Sequence, residues 1–383
     1  MYAVGLMSGT SLDGVDSVLV DIEGSGISTK INVIGFNTYE IPQEIKKEIK
    51  QACSLDKSSS RLICSLNFKI GYLFSECVKN ICSDCEFDIN NLDFIASHGQ
   101  TIYHIPEDDN DAVKSTLQIG ESSVIAYETK TKVISNFRVM DMAAGGEGAP
   151  LVPFSEYILY SNKNEGVLLQ NIGGIGNVTV IPRNSSIDDI YAFDTGPGNM
   201  IIDEVMFKLL GKRYDNNGNV AASGVVIDKM LLDLMSEPYI QLKPPKTTGR
   251  EKFGEQYVRE LLHKYGDLNK EDIIATVTMF TAKSIAENYR NFVLNRHKID
   301  KIILGGGGAH NSTLVKFLKE LLPELSVLTQ EEVGYSSDAK EAIAFVVLGN
   351  ETMHRSFSNV PSATGAKEKV ILGTICESPF INE

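Results

Sequence analysis

The chain has 383 residues, with 36 Lys and Arg against 50 Asp and Glu, for a formal net charge of −14. Such acidity argues against general nucleic-acid binding, where basic surface supplies most of the affinity. With 43% apolar and 22% charged residues the composition is globular, and at ~150 residues per domain the length suggests two or three domains.

In chain order, YAVGLMS reads as a strand, GTSLDG as a turn and VDSVLVDI as a second strand, with INVIGFNTYEIP a third. Helical patterns cover Gln43 to Ala52 and Ser59 to Ile81. LDFIASHG and STLQIG read as strands, ESSVIAYETK as a helix and KVISNFR as a short strand, before a Gly-dense loop, MAAGGEGAPLVPF. The pattern then restarts. GVLLQNIGGIGNVTVI is strand, Gly turn, strand; IYAFD is a third strand; and TGPGNMIIDEVMFKLLG opens with Gly and turns helical. KPPKTTGREKFG is a loop broken by Pro and Gly. Helices follow over Gly254–Tyr265 and Asp272–Leu294, then the strand KIILGGGG, and helices in HNSTLVKFLKELL and DAKEAIAFVVLGN. Two strand–Gly-turn–strand hairpins ~170 residues apart, each opening a mixed α/β half, suggest an internal duplication. Long helices between strands imply crossovers and parallel pairing beyond each hairpin.

No basic, apolar and cleavage-site pattern marks the N-terminus as a signal peptide, and no run approaches ~18 apolar residues, so neither export nor a membrane span is expected. Six cysteines are then expected to be reduced. Cys82-x2-Cys85, His98 and His104 match a loose zinc-finger spacing, but the intervening EFDINNLDFIAS is acidic and strand-like rather than a recognition helix.

The 32 glycines are more informative. Three Gly-rich turns sit beside strands: Gly9–Gly14, Gly173–Asn177 and Gly305–Gly308. Glycine lets successive backbone N–H groups face an anion without a Cβ in the way, so each is a candidate phosphate cradle; a tight hairpin or helix cap is the alternative for any one of them. The familiar nucleotide motifs are absent. Gly9 and Gly14 have P-loop spacing but Val15-Asp16 follows instead of Lys-Ser/Thr, and GGGGAH has His310 where a dinucleotide fingerprint needs Gly.

Taken together, GLMSGTSLDGVD (Gly5–Asp16), SHGQTI (Ser97–Ile102), SNFRVMDMAAGGEGAPLVPF (Ser135–Phe154), QNIGGIGNVT (Gln170–Thr179), FDTGPGNMIID (Phe193–Asp203) and ILGGGGAHN (Ile303–Asn311) resemble the anhydro-N-acetylmuramic acid kinase family of the actin-like ATPase superfamily. The resemblance implies an α/β fold of two duplicated actin-like domains around a central nucleotide cleft. They are expected over residues 1–140, joined by a C-terminal segment 360–383, and over 141–359. It also implies ATP and Mg²⁺, phosphorylation of a 1,6-anhydro amino sugar on its 6-oxygen with water opening the ring, a cytoplasmic location and a homodimer, with no nucleic-acid or membrane partner. A sugar or carboxylate kinase without ring opening, or an ATP-dependent conformational switch, are the rival readings.

The resemblance assigns roles residue by residue. Asp194 in DTGPGN is the catalytic base that activates water; the alternative is that it merely caps the following helix. Gly9, Thr10, Ser11, Leu12, Asp13, Gly14, Val15 and Asp16 form the first phosphate segment. Ser8 stands where many superfamily members carry a magnesium-organising Asp; Asp13 and Asp16 are acidic substitutes nearby, and Asp13 is the expected metal ligand. Gly173, Gly174 and Asn177 form the second phosphate turn, and Gly305, Gly306, Gly307 and Asn311 hold the adenosine. Ser97, His98, Gln100, Thr101, Arg138, Asp141, Glu147, Gly196, Asn199 and Glu341 are the substrate-contacting set. Within it an Arg fork suits the lactyl carboxylate, a surface ion pair between Arg138 and Asp141 being the alternative.

Overall fold

The computed structural model describes residues 1–108, 111–334 and 336–380. Its strands are β1 (Tyr2–Ser8), β2 (Val15–Glu23), β3 (Lys30–Tyr39), β4 (Phe94–Ile105), β5 (Ser115–Ile119), β6 (Val133–Ser135), β7 (Val167–Ile172), β8 (Ile175–Ile181), β9 (Tyr191–Pro197), β10 (Lys301–Gly305), β11 (Ser326–Thr329) and β12 (Thr374–Cys376). The chain divides into two compact units, Met1–Leu159 with Asp338–Glu383, and Tyr160–Ser337.

Unit 1 carries a sheet in the order β12-β6-β4-β1-β2-β3, with β5 paired to β4. Unit 2 carries β11-β10-β7-β8-β9. The two share one plan. In each, three consecutive strands form an antiparallel meander, and two later strands add in parallel beside the first. The duplication expected from the hairpin pattern is therefore a duplication of topology.

In unit 1 the helix Ser60–Asp84 lays Leu66, Ile70, Phe74, Cys77 and Ile81, a stripe of helical period, over Val4, Leu19 and Ile95 of the sheet. Ser59 caps it, its hydroxyl accepting from the Leu62 N–H at 3.2 Å. The helix Lys340–Met353 is buried continuously from Ala342 to Thr352 and approaches β1 so closely that a Cβ on Gly5 would overlap the Ala342 carbonyl. In unit 2 the helices Lys270–Phe292 and Ser312–Leu321 pack Ile285, Tyr289, Leu314 and Leu318 against Leu168, Val178, Ile302 and Leu304.

The unit boundaries correct the expected ones, 140/141 and 359/360, and the reason is the loop after β6. The helices Phe137–Ala143 and Val152–Tyr160, both missed in the sequence, tie this stretch to the returning C-terminal segment. Asp141 bonds Asn359 and Thr364, the Glu147 N–H donates to the Thr364 carbonyl, and Lys340 pairs with buried Glu156. The return is thus longer than 360–383, whose last three residues lie outside the described ones. KVISNFR is also not one strand. Asn136, at φ +60°, ends β6 and the next helix begins at Phe137. No helix among the described residues is long and apolar enough to cross a membrane.

Candidate active site

Asp194 lies within β9, which runs on through Pro197, and not at a strand end. It faces Asn177 of β8 across a register shift between Gly176 and Asn177. β9 is the edge of its sheet, so its outer backbone groups need partners from elsewhere. The loop after the short helix Pro238–Gln241 supplies them. The Asp194 N–H donates to the Lys246 carbonyl at 3.2 Å, and the Tyr239 hydroxyl donates to the Asp194 carbonyl at 3.1 Å. The carboxylate itself accepts from the Thr247 hydroxyl and the Thr248 N–H, each at 2.9 Å. Helix capping is excluded as its role, because the cap of Met200–Leu210 is Asn199.

Behind β9, the helix Lys270–Phe292 turns Thr281, Ser284 and Asn288, one buried face at i, i+3 and i+7, onto the DTGPG backbone. Ser284 and Asn288 donate to the Thr195 carbonyl at 2.6 and 3.0 Å, and Thr281 to the Gly198 carbonyl at 2.9 Å. Gly196, expected to touch substrate, is buried, at φ +125°, and a Cβ there would overlap the Ser284 hydroxyl. It is glycine because the strand meets this helix.

The turn Gly173-Gly174 does not leave the next helix N-terminus free. The Gly198 and Met200 N–H groups donate to the Gly174 carbonyl at 3.0 and 3.1 Å, and the Asn199 N–H to the Gly173 carbonyl at 2.8 Å. Phosphate binding here would rest on the hairpin turn alone; Asn177 lies in β8.

Next to the third Gly turn, unit 2 holds a cavity of about 1250 Å³, its walls including Asn199, Ile202, Asp203, Tyr214, Gly307 and Val315. Gly305, Gly306 and Gly308 are packing glycines, abutting Gln330, Asn171 and Ile172, whereas Gly307 opens on the cavity. Asn311 reaches the cavity too, but its side-chain oxygen caps Ser312–Leu321 by accepting from the Leu314 N–H at 3.0 Å. Asp203, in the first turn of its helix, has its carboxyl pushed up to about 6 by burial.

In unit 1 the Gly9 turn exposes Thr10, Ser11 and Asp13, while Leu12, at φ +60°, is buried in the core. Val15 is fully buried and Gly14 abuts Thr38, so at Leu12, Gly14 and Val15 it is the backbone that is available to a phosphate. Ser8 donates to Gln100 Oε1 at 2.6 Å and is committed to the fold. Asp16 accepts from Thr38 at 2.6 Å; burial raises its carboxyl, the Thr38 bond opposes this, and Asp338 and Asp13 add to it. Among the described residues no three His, Cys, Asp or Glu side chains gather as a metal group. The donors fit a magnesium ion carried by phosphates, which needs only one or two carboxylates, with Asp13 the exposed one.

The SHGQT segment turns much of its polarity inward. Ser97 is fully buried with no partner for its hydroxyl among the described residues, and Gln100 is buried against Ser8. Buried His98 holds the Gly99 carbonyl through Nδ1 at 2.8 Å and accepts from Arg138 Nε through Nε2 at 2.9 Å. Burial, then the Arg138 charge, lowers its pKa to about 3, so the ring is neutral. Thr101 is half-buried and accepts from Gln118 at 3.3 Å. Arg138 also donates to the Gly148 carbonyl at 2.7 Å through Nη1, leaving Nη2 without an acceptor among the described residues. It makes no ion pair with Asp141. That residue is fully buried, its oxygens accepting from the Gly148 N–H, Asn359 and Thr364 at 2.8–2.9 Å, so it shapes the loop. Glu147 is exposed. Glu341 also reaches solvent, yet surrounding protein raises its carboxyl, Asp16 adding and Lys340 and Arg138 opposing.

Residues 1–378 match the family model described as anhydro-N-acetylmuramic acid kinase. The chain belongs to the anhydro-N-acetylmuramic acid kinase family. It is 63% identical over 380 residues to a protein of that name from Clostridioides difficile (strain 630), covering 99% of each chain. It is 57% identical over 382 residues to another from Bacillus cereus, covering 99% of this chain and 100% of that one. Among solved structures it is similar to an activator of 2-hydroxyisocaproyl-CoA dehydratase from Clostridium difficile with bound ADPNP. There the TM-score is 0.43 at 11% identity, over 91% of this chain and 93% of that one.

This member of the anhydro-N-acetylmuramic acid kinase family is a kinase. Its sequence left unmarked the residues that hold Asp194: Tyr239, Lys246, Thr247 and Thr248. KPPKTTGR reads as punctuation, and a contact between residues 194 and 247 leaves no periodicity to find. Asp203, an acid at a helix start beside DTGPGN, lines the unit 2 cavity.

Proposed function

We propose that the chain transfers the γ-phosphoryl group of ATP to the 6-oxygen of 1,6-anhydro-N-acetylmuramic acid while water opens the anhydro bridge. Asp194 takes a proton from the water as its oxygen bonds to the anomeric carbon. The bond from that carbon to the 6-oxygen breaks, the freed electron pair attacks the γ-phosphorus, and ADP leaves. The product is N-acetylmuramic acid 6-phosphate. The observation that carries this reading is the Asp194 carboxylate, bonded by Thr247 and Thr248 through Oδ2 alone and with no donor on Oδ1 among the described residues.

The other residues take supporting parts. Thr10, Ser11 and the backbone of the Gly9 turn in unit 1, and the Gly173-Gly174 turn in unit 2, would hold phosphates. The unit 2 cavity at Gly307 is ample for adenosine, since ligand pockets commonly span ~300–1,000 Å³. Magnesium beside Asp13 would neutralise phosphate charge when bound. Arg138, held by neutral His98, offers Nη2 to the lactyl carboxylate. Thr101, Glu147 and Glu341 would meet the sugar's polar groups. The reading includes a cytoplasmic location and a homodimer, checked by fractionation and light scattering.

The deciding experiment supplies ATP with either the anhydro sugar or plain N-acetylmuramic acid, in ¹⁸O-labelled water. Phosphorylation of the anhydro sugar with label at the anomeric oxygen is expected. Phosphorylation of only the plain sugar, or of the anhydro sugar without label, would overturn the reading.

A further inference from the structure

We infer that the segment Lys246–Thr248 is the device that aims Asp194, with Thr247 a positioning residue for the reaction. The inference rests on Asp194 being the base. One strand residue receives four bonds from residues 239–248: the Lys246 carbonyl on its N–H, the Tyr239 hydroxyl on its carbonyl, and Thr247 and Thr248 on its carboxylate. The backbone bonds hold the Cα against the edge of the sheet. The two side-chain bonds then fix the carboxylate plane. Both fall on Oδ2, so Oδ1 is the oxygen presented, in one orientation.

The charged groups beside it leave that oxygen free. The ionisable groups facing Asp194 are Lys246 and Tyr239. Lys246 does not sit on the carboxylate. Its ammonium donates to the Tyr239 and Ile240 carbonyls at 3.1 and 3.3 Å and lies over the Tyr239 and Phe292 rings, 4.7 and 5.2 Å from their centroids. It therefore anchors the segment and adds a nearby positive charge without occupying Oδ1. A salt bridge there would have occupied the presented oxygen; two neutral donors on Oδ2 leave Oδ1 free to accept.

A plain loop anchor would show the same contacts, so the test reads turnover against binding and stability. Thr247→Val removes the hydroxyl and keeps the branched shape at an exposed position; Thr247→Ser keeps the hydroxyl; Thr247→Ala is the second deletion should Val fail to fold. We expect Thr247→Val to lower kcat several-fold, the size of one charge-assisted bond. KM for ATP and the thermal midpoint should stay unchanged, and Thr247→Ser should restore kcat. A kcat unmoved in Thr247→Val, or a loss that Thr247→Ser does not reverse, overturns the inference. Asp194→Asn separates the two readings. If it keeps near-normal turnover, the base assignment itself falls; if it is inactive while Thr247→Val is normal, only the positioning role falls.

Discussion

Replacing Asp141 by Asn tests the correction made to that residue. The wild-type Oδ1 accepts from Asn359 Nδ2 at 2.9 Å and Thr364 Oγ1 at 2.8 Å, while Oδ2 accepts from the Gly148 N–H at 2.9 Å. An amide has one oxygen. Kept toward Asn359 and Thr364, it leaves an NH2 facing the Gly148 N–H; turned round, it leaves two donors unmatched. A buried donor left unpaired costs ~1–3 kcal/mol, and the bonds that remain lose their charge assistance, so ~2–4 kcal/mol of stability should disappear. Urea unfolding followed by circular dichroism reads this as a lower midpoint, and limited proteolysis should cut first in the Gly145–Gly148 stretch. At saturating substrates, folded variant should keep its KM for the sugar. The opposite pair of results, a loss below ~1 kcal/mol with a raised sugar KM, would mean that Asp141 meets the ligand and that the structural reasoning is wrong.

Two further outcomes follow from other contacts. His98 has a folded pKa of about 3 against an ordinary 6.5, so on acidification protons enter the unfolded chain first; its contribution is full above ~6.5 and is lost as pH falls toward 3, by up to ~1.4 kcal/mol per unit. Between pH 6.5 and 5 the wild type should lose ~2 kcal/mol that His98→Gln does not lose, and equal slopes in denaturant midpoints would refute the assignment. Gly5→Ala drives a methyl into the Ala342 carbonyl and the Val346 side chain and should cost ~1–3 kcal/mol, read as a lower Tm; an unchanged Tm would show that the helix yields.

What could be read ahead of the structure was what local pattern encodes. Apolar runs around Gly turns mark β1, β7 and β8, alternation marks β2, and helical patterning marks Gln43–Ala52. The spacing of two similar hairpins marks a duplicated plan. Long-range choices were not legible. Phe137–Ala143 sits in a stretch so dense in Gly and Pro that it reads as loop, yet Asp141 fastens it to residues more than two hundred positions away. The candidate site divided along the same line. Asp194 stood out as an acid after an apolar run, but Ser97, His98 and Gln100 have the polarity of sugar-reading residues and spend it inside the protein. Motif membership does not distinguish a group that meets the ligand from one that holds its neighbour; burial and partners do.

The discontinuity of unit 1 has a consequence for biosynthesis. The face of β1 that receives the helix Lys340–Met353 leaves the ribosome long before that helix does. Chains are made at ~5–20 residues per second, so the intervening unit 2 takes roughly 10–40 s to appear. For that interval a largely apolar sheet face stays uncovered in the nascent chain. A release or truncation before Asp338 leaves it so permanently. Unit 1 therefore cannot complete its core until Lys340–Met353 has been made, unlike the first of two sequential domains.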